Sequence, residues 1–247
     1  MLLTIITVNK NSCYLIEKTS KSIISLLKKQ KNISWLIVDS NSNDESSESI
    51  QKILSEKNKL QIDAIIENDN GIYNAMNKAI KYASSKYLLF INSGDTLNIN
   101  NLLKILNFLI TTNNSSIICG YKIYEEYNFF VQTLKLLIHK LERSLKFSLP
   151  SSHNSIIYLT EATRRFPFNE EYICASDYDQ YLRLLNNNHK FIKKRGVKIS
   201  NISNQGYIAK RKLESYQECI RINFLKQNFS AIIYWKIKKF LLNLNLI

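Results

Sequence analysis

Residues 67–95 read E-N-D-N-G-I-Y-N-A-M-N-K-A-I-K-Y-A-S-S-K-Y-L-L-F-I-N-S-G-D, and this stretch decides the fold. A polar loop containing Gly71 runs into an amphipathic segment in which Ile72, Met76, Ala79, Ile80 and Ala83 share one helical face. A short apolar run, Tyr87 to Ile91, follows and stops abruptly on Asn92, Ser93, Gly94 and Asp95. Taken alone, Asp95 has two readings. It could start a turn or cap the next helix. It could also be a carboxylate set just past a buried strand, where a metal ion carrying a phosphate fits. Its counterparts elsewhere in the chain favour the second.

Working outward, the same unit recurs through the first half. Leu2 to Val8 is an apolar run that ends on Asn9, and a helical pattern through Ile16, Ile23 and Leu27 follows. Ile33 to Val38 ends on Asp39 and the polar loop Ser40–Asp44, before a helix to about Lys57. Gln61 to Ile66 ends in Glu67, Asn68 and Asp69. Strands alternating with helices predict an α/β fold with a mostly parallel central sheet flanked by helices. Strands covered on both faces should be near-continuous apolar runs, as these are. Ligands of such sheets bind outside the carboxyl ends of the strands. Those ends carry Thr7 and Asn9, Asp39, Asp69 and Asp95, so the crevice is rich in carboxylates. Neither G-x-G-x-x-G after the first strand nor a P-loop occurs, and the chain has only 5 glycines. Phosphate charge must therefore be met by a metal or by basic side chains.

Five blocks, in order, carry a resemblance: T-V-N-K-N at 7–11, V-D-S-N-S-N-D at 38–44, D-N-G-I-Y-N-A-M-N-K-A at 69–79, F-I-N-S-G-D at 90–95 and A-S-D-Y-D-Q-Y-L-R-L at 175–184. Together they resemble the family 2 inverting glycosyltransferases of the GT-A fold, of the bacterial surface-polysaccharide type, over roughly residues 1–210. The resemblance implies a nucleotide-sugar-binding half at 1–112 and an acceptor half at 113–210. Asp39 would hydrogen-bond the uracil or ribose of a UDP-sugar, with Thr7 and Asn9 lining the same pocket. Asp69, Gly71, Tyr73 and Asn77 would close over the nucleotide and donor sugar. Asp95 would bind Mg²⁺ or Mn²⁺ at the diphosphate, and Asp177 would be the general base. His153, in L-P-S-S-H-N, would lie on the acceptor side. The family's metal motif commonly has two acids, whereas Ser93-Gly94-Asp95 supplies one. The late N-G-G-x-S pattern is present only as Asn204-Gln205-Gly206-Tyr207.

The chemistry needs this division of labour. The leaving diphosphate is an anion that a cation must stabilise. The attacking hydroxyl must lose a proton to a carboxylate across the sugar. Asp95 and Asp177 lie in different segments and suit the two tasks. Asp177 opens a helical run to Leu185, a place where an acid also simply favours the helix dipole. Asp179 is the nearby competitor and is expected to face solvent.

Charge and composition set the rest. The 247 residues suffice for one large domain with an appendage, and 45% hydrophobic content supports a sizeable core. Cys13, Cys119, Cys174 and Cys219 show no metal spacing and fit reduced thiols of a cytoplasmic protein. Met1 leads directly into a strand, so no secretory leader is expected, and no run approaches a membrane span. Residues 190–247 hold 13 Lys and Arg against Glu214 and Glu218, so most of the net +14 lies there. Such asymmetry points to an anionic partner.

Residues 211–247 read as a basic amphipathic helical tail. Ile233, Ile237, Phe240, Leu241 and Leu244 share a face, while Lys236, Lys239 and Asn243 lie away from it. Tyr234 and Trp235 sit beside the lysines, as at a membrane interface. Leu134 to Leu145 is a second such stretch, and a helix packed on the core is the other reading of both. The expected partners are a nucleotide-sugar, a lipid-linked glycan and an anionic membrane surface on the inner face of the cytoplasmic membrane. Removal of residues after Asn228 is expected to leave a folded domain. A nucleotidyltransferase would need a glycine-rich first loop, which Asn9-Lys10-Asn11-Ser12 is not. Base-reading motifs for nucleic acid are also lacking, so no nucleic-acid partner is expected.

Overall fold

The computed structural model describes residues 1–112, 117–120, 149, 151–194, 197–203 and 211–243, with backbone alone for 112 and 117–120. The expected helix at Leu134–Leu145, the Asn204–Tyr207 pattern and Leu244 lie outside the described residues.

Four strands from the first half lie side by side and parallel. They are β1 (Leu3–Asn9), β2 (Ile33–Asp39), β3 (Ile62–Ile66) and β4 (Tyr87–Phe90). The sheet has 7 strands in the order β3-β2-β1-β4-β7-β6-β8. β7 (Ile156–Leu159) runs antiparallel to its neighbours β4 and β6 (Ile117–Gly120), and β8 (Phe191–Lys194) pairs in parallel with β6. The sheet is thus mostly parallel, as its unbroken apolar strands require. Register then places the crevice. Leu3 stands opposite Ile33 and Asn9 opposite Asp39, while Ile6 stands opposite Phe90. Asn9, Asp39 and the loop after β4 therefore meet at one edge.

Each face of the sheet has its own core. Leu3, Ile5 and Ile37 face a layer made by α1 (Cys13–Leu27), α2 (Ser46–Leu54) and α4 (Ile99–Thr112). Ile6, Val38 and Phe90 face α3 (Ile72–Tyr82), α5 (Thr160–Arg165) and Leu184 of α6 (Ser176–Asn186). Burial on the scale of Ile16, Ile23 and Leu26 of α1 contributes about 1.5–3 kcal/mol per side chain. Next to the crevice, β5 (Thr96–Leu97) pairs antiparallel with β9 (Ser200–Asn201).

The basic segment is more than a tail. α7 (Lys212–Leu225) and α8 (Phe229–Asn243) share a third core with α6, formed by Tyr172, Ala175, Tyr178, Tyr181, Cys219, Ile222, Ala231, Tyr234 and Trp235. Tyr234 and Trp235 are thus buried rather than placed at an interface, and Lys238 lies 5.1 Å from the Trp235 ring centroid. Cutting after Asn228 would remove Ala231, Tyr234 and Trp235 and uncover the apolar side chains of α6 and α7. The expectation that such a fragment stands alone does not survive this packing. The stripe that faces outward is Ile233, Ile237 and Phe240. Among the described residues, no helix is long and apolar enough to cross a membrane.

Candidate active site

A ladder of short polar contacts floors the crevice. Asp39 is buried, and its Oδ1 accepts from Asn9 Nδ2 at 2.8 Å and from Ser42 Oγ at 2.7 Å. Its Oδ2 accepts from the Ser42 N–H at 2.8 Å. Asn9 Oδ1 in turn accepts from Ser93 Oγ at 2.8 Å. Three strand ends are thereby joined. Thr7 lies one layer deeper, where its hydroxyl accepts from Trp35 Nε1 at 2.9 Å, so it supports the floor rather than lining it. The turns are made without glycine. Asn11 and Asn41 adopt φ of 46° and 49°, a region that Asn tolerates. Asn11 N–H donates to Ser42 Oγ at 2.8 Å, and Asn43 N–H donates to Asn11 Oδ1 at 2.9 Å.

Asp95 sits in a tight bend. Gly94 has φ of 96°, and a Cβ there would lie 3.2 Å from Leu15 and from Ser203, so glycine is required. Thr19 Oγ1 accepts from the Gly94 N–H at 2.9 Å and donates to the Asp95 carbonyl at 2.8 Å. The Asp95 carboxylate, 3% exposed, accepts from the Ser203 N–H at 2.7 Å and from Asn154 Nδ2. Burial pushes it up to about 6, against the pull of those hydrogen bonds and of Lys18. A divalent cation fits here. Both carboxylate oxygens keep a lone pair, and the buried Asn92 Oδ1 has no partner among the described residues. No cluster of three or more His, Cys, Asp or Glu gathers among the described residues. The protein would thus offer a Mg²⁺-type site, with one carboxylate and the remaining ligands from phosphate and water.

The 69–79 block runs from the crevice toward α6. Asp69 Oδ1 accepts from the Gly71 N–H at 3.0 Å, and Gly71 opens α3 with φ of 123°. Asn77 is occupied by its own scaffold. Its amide donates to the Phe168 carbonyl at 2.9 Å and to Glu170 Oε1 at 2.7 Å, and accepts from the Phe168 N–H at 2.9 Å. Asn74 also donates to Glu170, at 2.7 Å. Tyr73 is buried and faces Asp177, whose carboxyl it pulls down. Two blocks about a hundred residues apart in sequence therefore touch.

Asp177 lies in the first turn of α6, partly buried, with Oδ1 accepting from the Tyr178 N–H at 2.8 Å. Burial raises it to about 6; the Tyr178 and Tyr73 hydrogen bonds lower it, and the charge of Glu218 raises it further. Asp179 does not face solvent as expected. It is buried and paired with Arg183 Nε at 2.7 Å and Lys226 Nζ at 3.5 Å, because the α7–α8 turn covers it. His153, in a 3₁₀ turn, stacks on Phe90 at 4.9 Å between centroids, and its Nδ1 lies 3.4 Å from Tyr158 Oη. Burial lowers it to about 4, so it is neutral at pH 7. Its neighbour Asn154 contacts Asp95, which puts His153 beside the proposed diphosphate site.

Sequence reading missed Asn154, Ser203, Glu170 and Glu218. Asn154 carried one signal, its place beside His153 in L-P-S-S-H-N. Glu218 carried another, as one of two acids in a basic segment. Ser203 and Glu170 carried none.

The family model described as Glycosyl transferase family 2 matches residues 4–175. The chain is 24% identical over 233 residues to the glycosyltransferase MJ1057 of Methanocaldococcus jannaschii, covering 90% of this chain and 80% of that one. It is 25% identical over 181 residues to WfgD of Escherichia coli, UDP-Glc:alpha-D-GlcNAc-diphosphoundecaprenol beta-1,3-glucosyltransferase, covering 71% of this chain and 68% of that one. Among solved structures, the mannosyltransferase PcManGT of Pyrobaculum calidifontis, in complex with GDP-Man and Mn²⁺, aligns with a TM-score of 0.70 at 16% identity, covering 95% of this chain and 68% of that one. The mostly parallel sheet flanked by helices is that of the GT-A glycosyltransferases.

Proposed function

The chain belongs to glycosyl transferase family 2, and from that premise we propose an inverting, metal-dependent enzyme that moves a sugar from a UDP-sugar to a hydroxyl of a lipid-linked glycan. One observation carries the mechanism. Two carboxylates, buried Asp95 and partly buried Asp177, are each raised to about 6 and stand on separate elements, with Tyr73 of α3 facing Asp177. Mg²⁺ or Mn²⁺, held by Asp95, would supply the charge that stabilises the leaving diphosphate. Asp39, steadied by Asn9 and Ser42, accepts hydrogen bonds from the nucleoside, and the Asp69–Gly71 turn closes over it. Asp177 accepts the proton of the attacking hydroxyl, and its raised pKa brings its basicity nearer to working pH. Tyr73 fixes the orientation of that carboxylate. Attack from the Asp177 side, opposite the diphosphate, inverts the anomeric centre. UDP and a lipid acceptor follow the chemistry named for WfgD, and a divalent metal follows that of PcManGT. Assembly of a bacterial surface polysaccharide, such as O-antigen or capsule, is the setting that fits.

Thermal unfolding with UDP, UDP-glucose, UDP-N-acetylglucosamine and GDP-mannose, each with Mn²⁺, tests the donor. A true ligand at a hundredfold its Kd stabilises by about 2.7 kcal/mol. UDP and a UDP-sugar are expected to raise the Tm. Asp39→Ala should weaken UDP binding about tenfold or more, because hydrogen bonds to a charged group are worth about 1.5–3 kcal/mol. Unchanged UDP affinity by calorimetry in a folded variant would remove Asp39 from the site.

The membrane surface is the second part of the proposal. Phe224 and Leu225 end α7, and Phe229, Ile233, Ile237 and Phe240 run along α8, all 54–69% exposed. Arg221, Lys236 and Lys239 lie beside this apolar stripe in the chain. Lys236, Lys239, Phe240 and Asn243 also line a surface groove with Gln217 and Ile220. The pattern suits the boundary between acyl chains and anionic headgroups, each basic residue adding about 1 kcal/mol at low salt. Full-length protein should pellet with phosphatidylglycerol vesicles. Ile237→Glu with Phe240→Glu should abolish most pelleting and leave the Tm nearly unchanged, since both side chains are exposed. Equal pelleting of the two proteins would rule the surface out.

A further inference from the structure

Glu218 is the acid of the basic segment whose carboxylate turns inward. Three successive backbone amides converge on it. Ile173 N–H donates to Oε1, and Cys174 and Ala175 N–H donate to Oε2, each at 2.8 Å. These amides lie directly ahead of α6, whose first turn holds Asp177. Backbone amides entering a helix have no intrahelical partner, and a carboxylate there is the strongest acceptor available. α7 also grips α6 beyond Asp177. Asn223 accepts from Tyr178 Oη at 3.2 Å and is itself held by Cys219.

We propose that Glu218 is the positioning residue of Asp177: by holding the three amides ahead of α6 it fixes the start of that helix and the place of the base in its first turn. The proposal rests on Asp177 being that base. Glu218 has no other described task. It forms no ion pair among the described residues, and a solvated acid would not turn three amides toward itself. The groups facing Asp177 are Tyr73 from α3, Cys174 from the preceding loop, and Glu218 and Cys219 from α7. Glu214 stands beside Cys174, and Lys238 of α8 acts on Cys219. Burial is the main cause of the raised Asp177, with Glu218 the negative charge that adds to it. A Gln at 218 would lose the charge and turn a donor toward donors.

The direct test reads Asp177 itself. Protein carrying ¹³C-carboxyl aspartate is titrated by NMR, with the Asp177 signal identified by its loss in Asp177→Asn. In Glu218→Gln the Asp177 midpoint should move down, with burial still holding it above the ordinary carboxylate range, and amides 173–175 should exchange about tenfold faster. Glu218→Asp keeps the charge and should keep the midpoint high. It also serves as the readable variant if Glu218→Gln does not fold. With a donor found by thermal shift, Glu218→Gln should lower kcat with little change in donor KM and move the acid limb to lower pH. A midpoint and amide protection equal to wild type would overturn the proposal, as would a lower Tm with an unmoved midpoint. If no nucleotide-sugar stabilises the wild-type protein, the enzymatic reading fails while the titration still judges Glu218.

Discussion

Asp177→Asn is expected to lower turnover by about two to four powers of ten, the usual worth of a general base, with donor affinity unchanged. The amide is nearly isosteric and can still accept from the Tyr178 N–H, so the first turn of α6 should keep its shape. The pH dependence supports a sharper test. Wild-type turnover should decline below about pH 6, where the Asp177 carboxylate takes up its proton. Stability has the opposite dependence. A carboxyl raised in the folded state contributes stability that is present below the ordinary carboxylate range and lost as pH rises through about 6. Asn does not ionise, so above pH 6 the variant should melt no lower than wild type. Turnover equal to wild type, with Asp179→Asn inactive, would move the base by two residues. The Arg183 and Lys226 pairing of Asp179 argues against that outcome.

Asp95→Asn is expected to cost about two to three powers of ten in turnover, the scale of losing one group that stabilises developing charge. It should also abolish most of the Mn²⁺-dependent tightening of UDP binding. The fold should tolerate the change, because the amide oxygen can still accept from Ser203 N–H and the Asn154 amide can turn over. Calorimetry of UDP with and without Mn²⁺ separates this loss from a general loss of donor affinity. Full wild-type activity in EDTA would mean that basic side chains carry the diphosphate and that Asp95 only shapes the bend.

The donor half was legible because its signals are local. Buried parallel strands must be continuous apolar runs, so β1 to β4 could be placed within a residue or two. Acids after three of these four runs singled out Asp39, Asp69 and Asp95 as candidates. Tertiary contact hid the rest. The Tyr73 phenol and Asp177 meet only when α3 and α6 pack, and no spacing records that. Asn77 looked like a ligand contact because it lies in the most specific block, yet its amide clasps Phe168. α8 is apolar on two sides. Periodicity found the stripe of Ile233, Ile237 and Phe240, but could not tell that Ala231, Tyr234 and Trp235 form a second, buried one. Asp179 looked solvated because the turn that covers it lies in a different segment.

The order of pairing in the sheet also bears on how the enzyme comes into being. β1, β2, β3 and β4 are consecutive in sequence and adjacent in space, and all have been synthesised by Phe90. A chain that emerges from the amino end can close these ladders early, with the lattice of Asp39, Asn9, Ser42 and Ser93 already complete. Asp95 must wait. Its partners are Asn154 and Ser203, and the β5–β9 clasp beside it needs residues 200–201. Contacts of such long sequence separation form late, because the intervening chain must first be ordered. Asp177 waits longer still, for Glu218. With the roles proposed for Asp39, Asp95 and Asp177, the nucleoside-reading part of the crevice is therefore expected to form before the reactive part during synthesis.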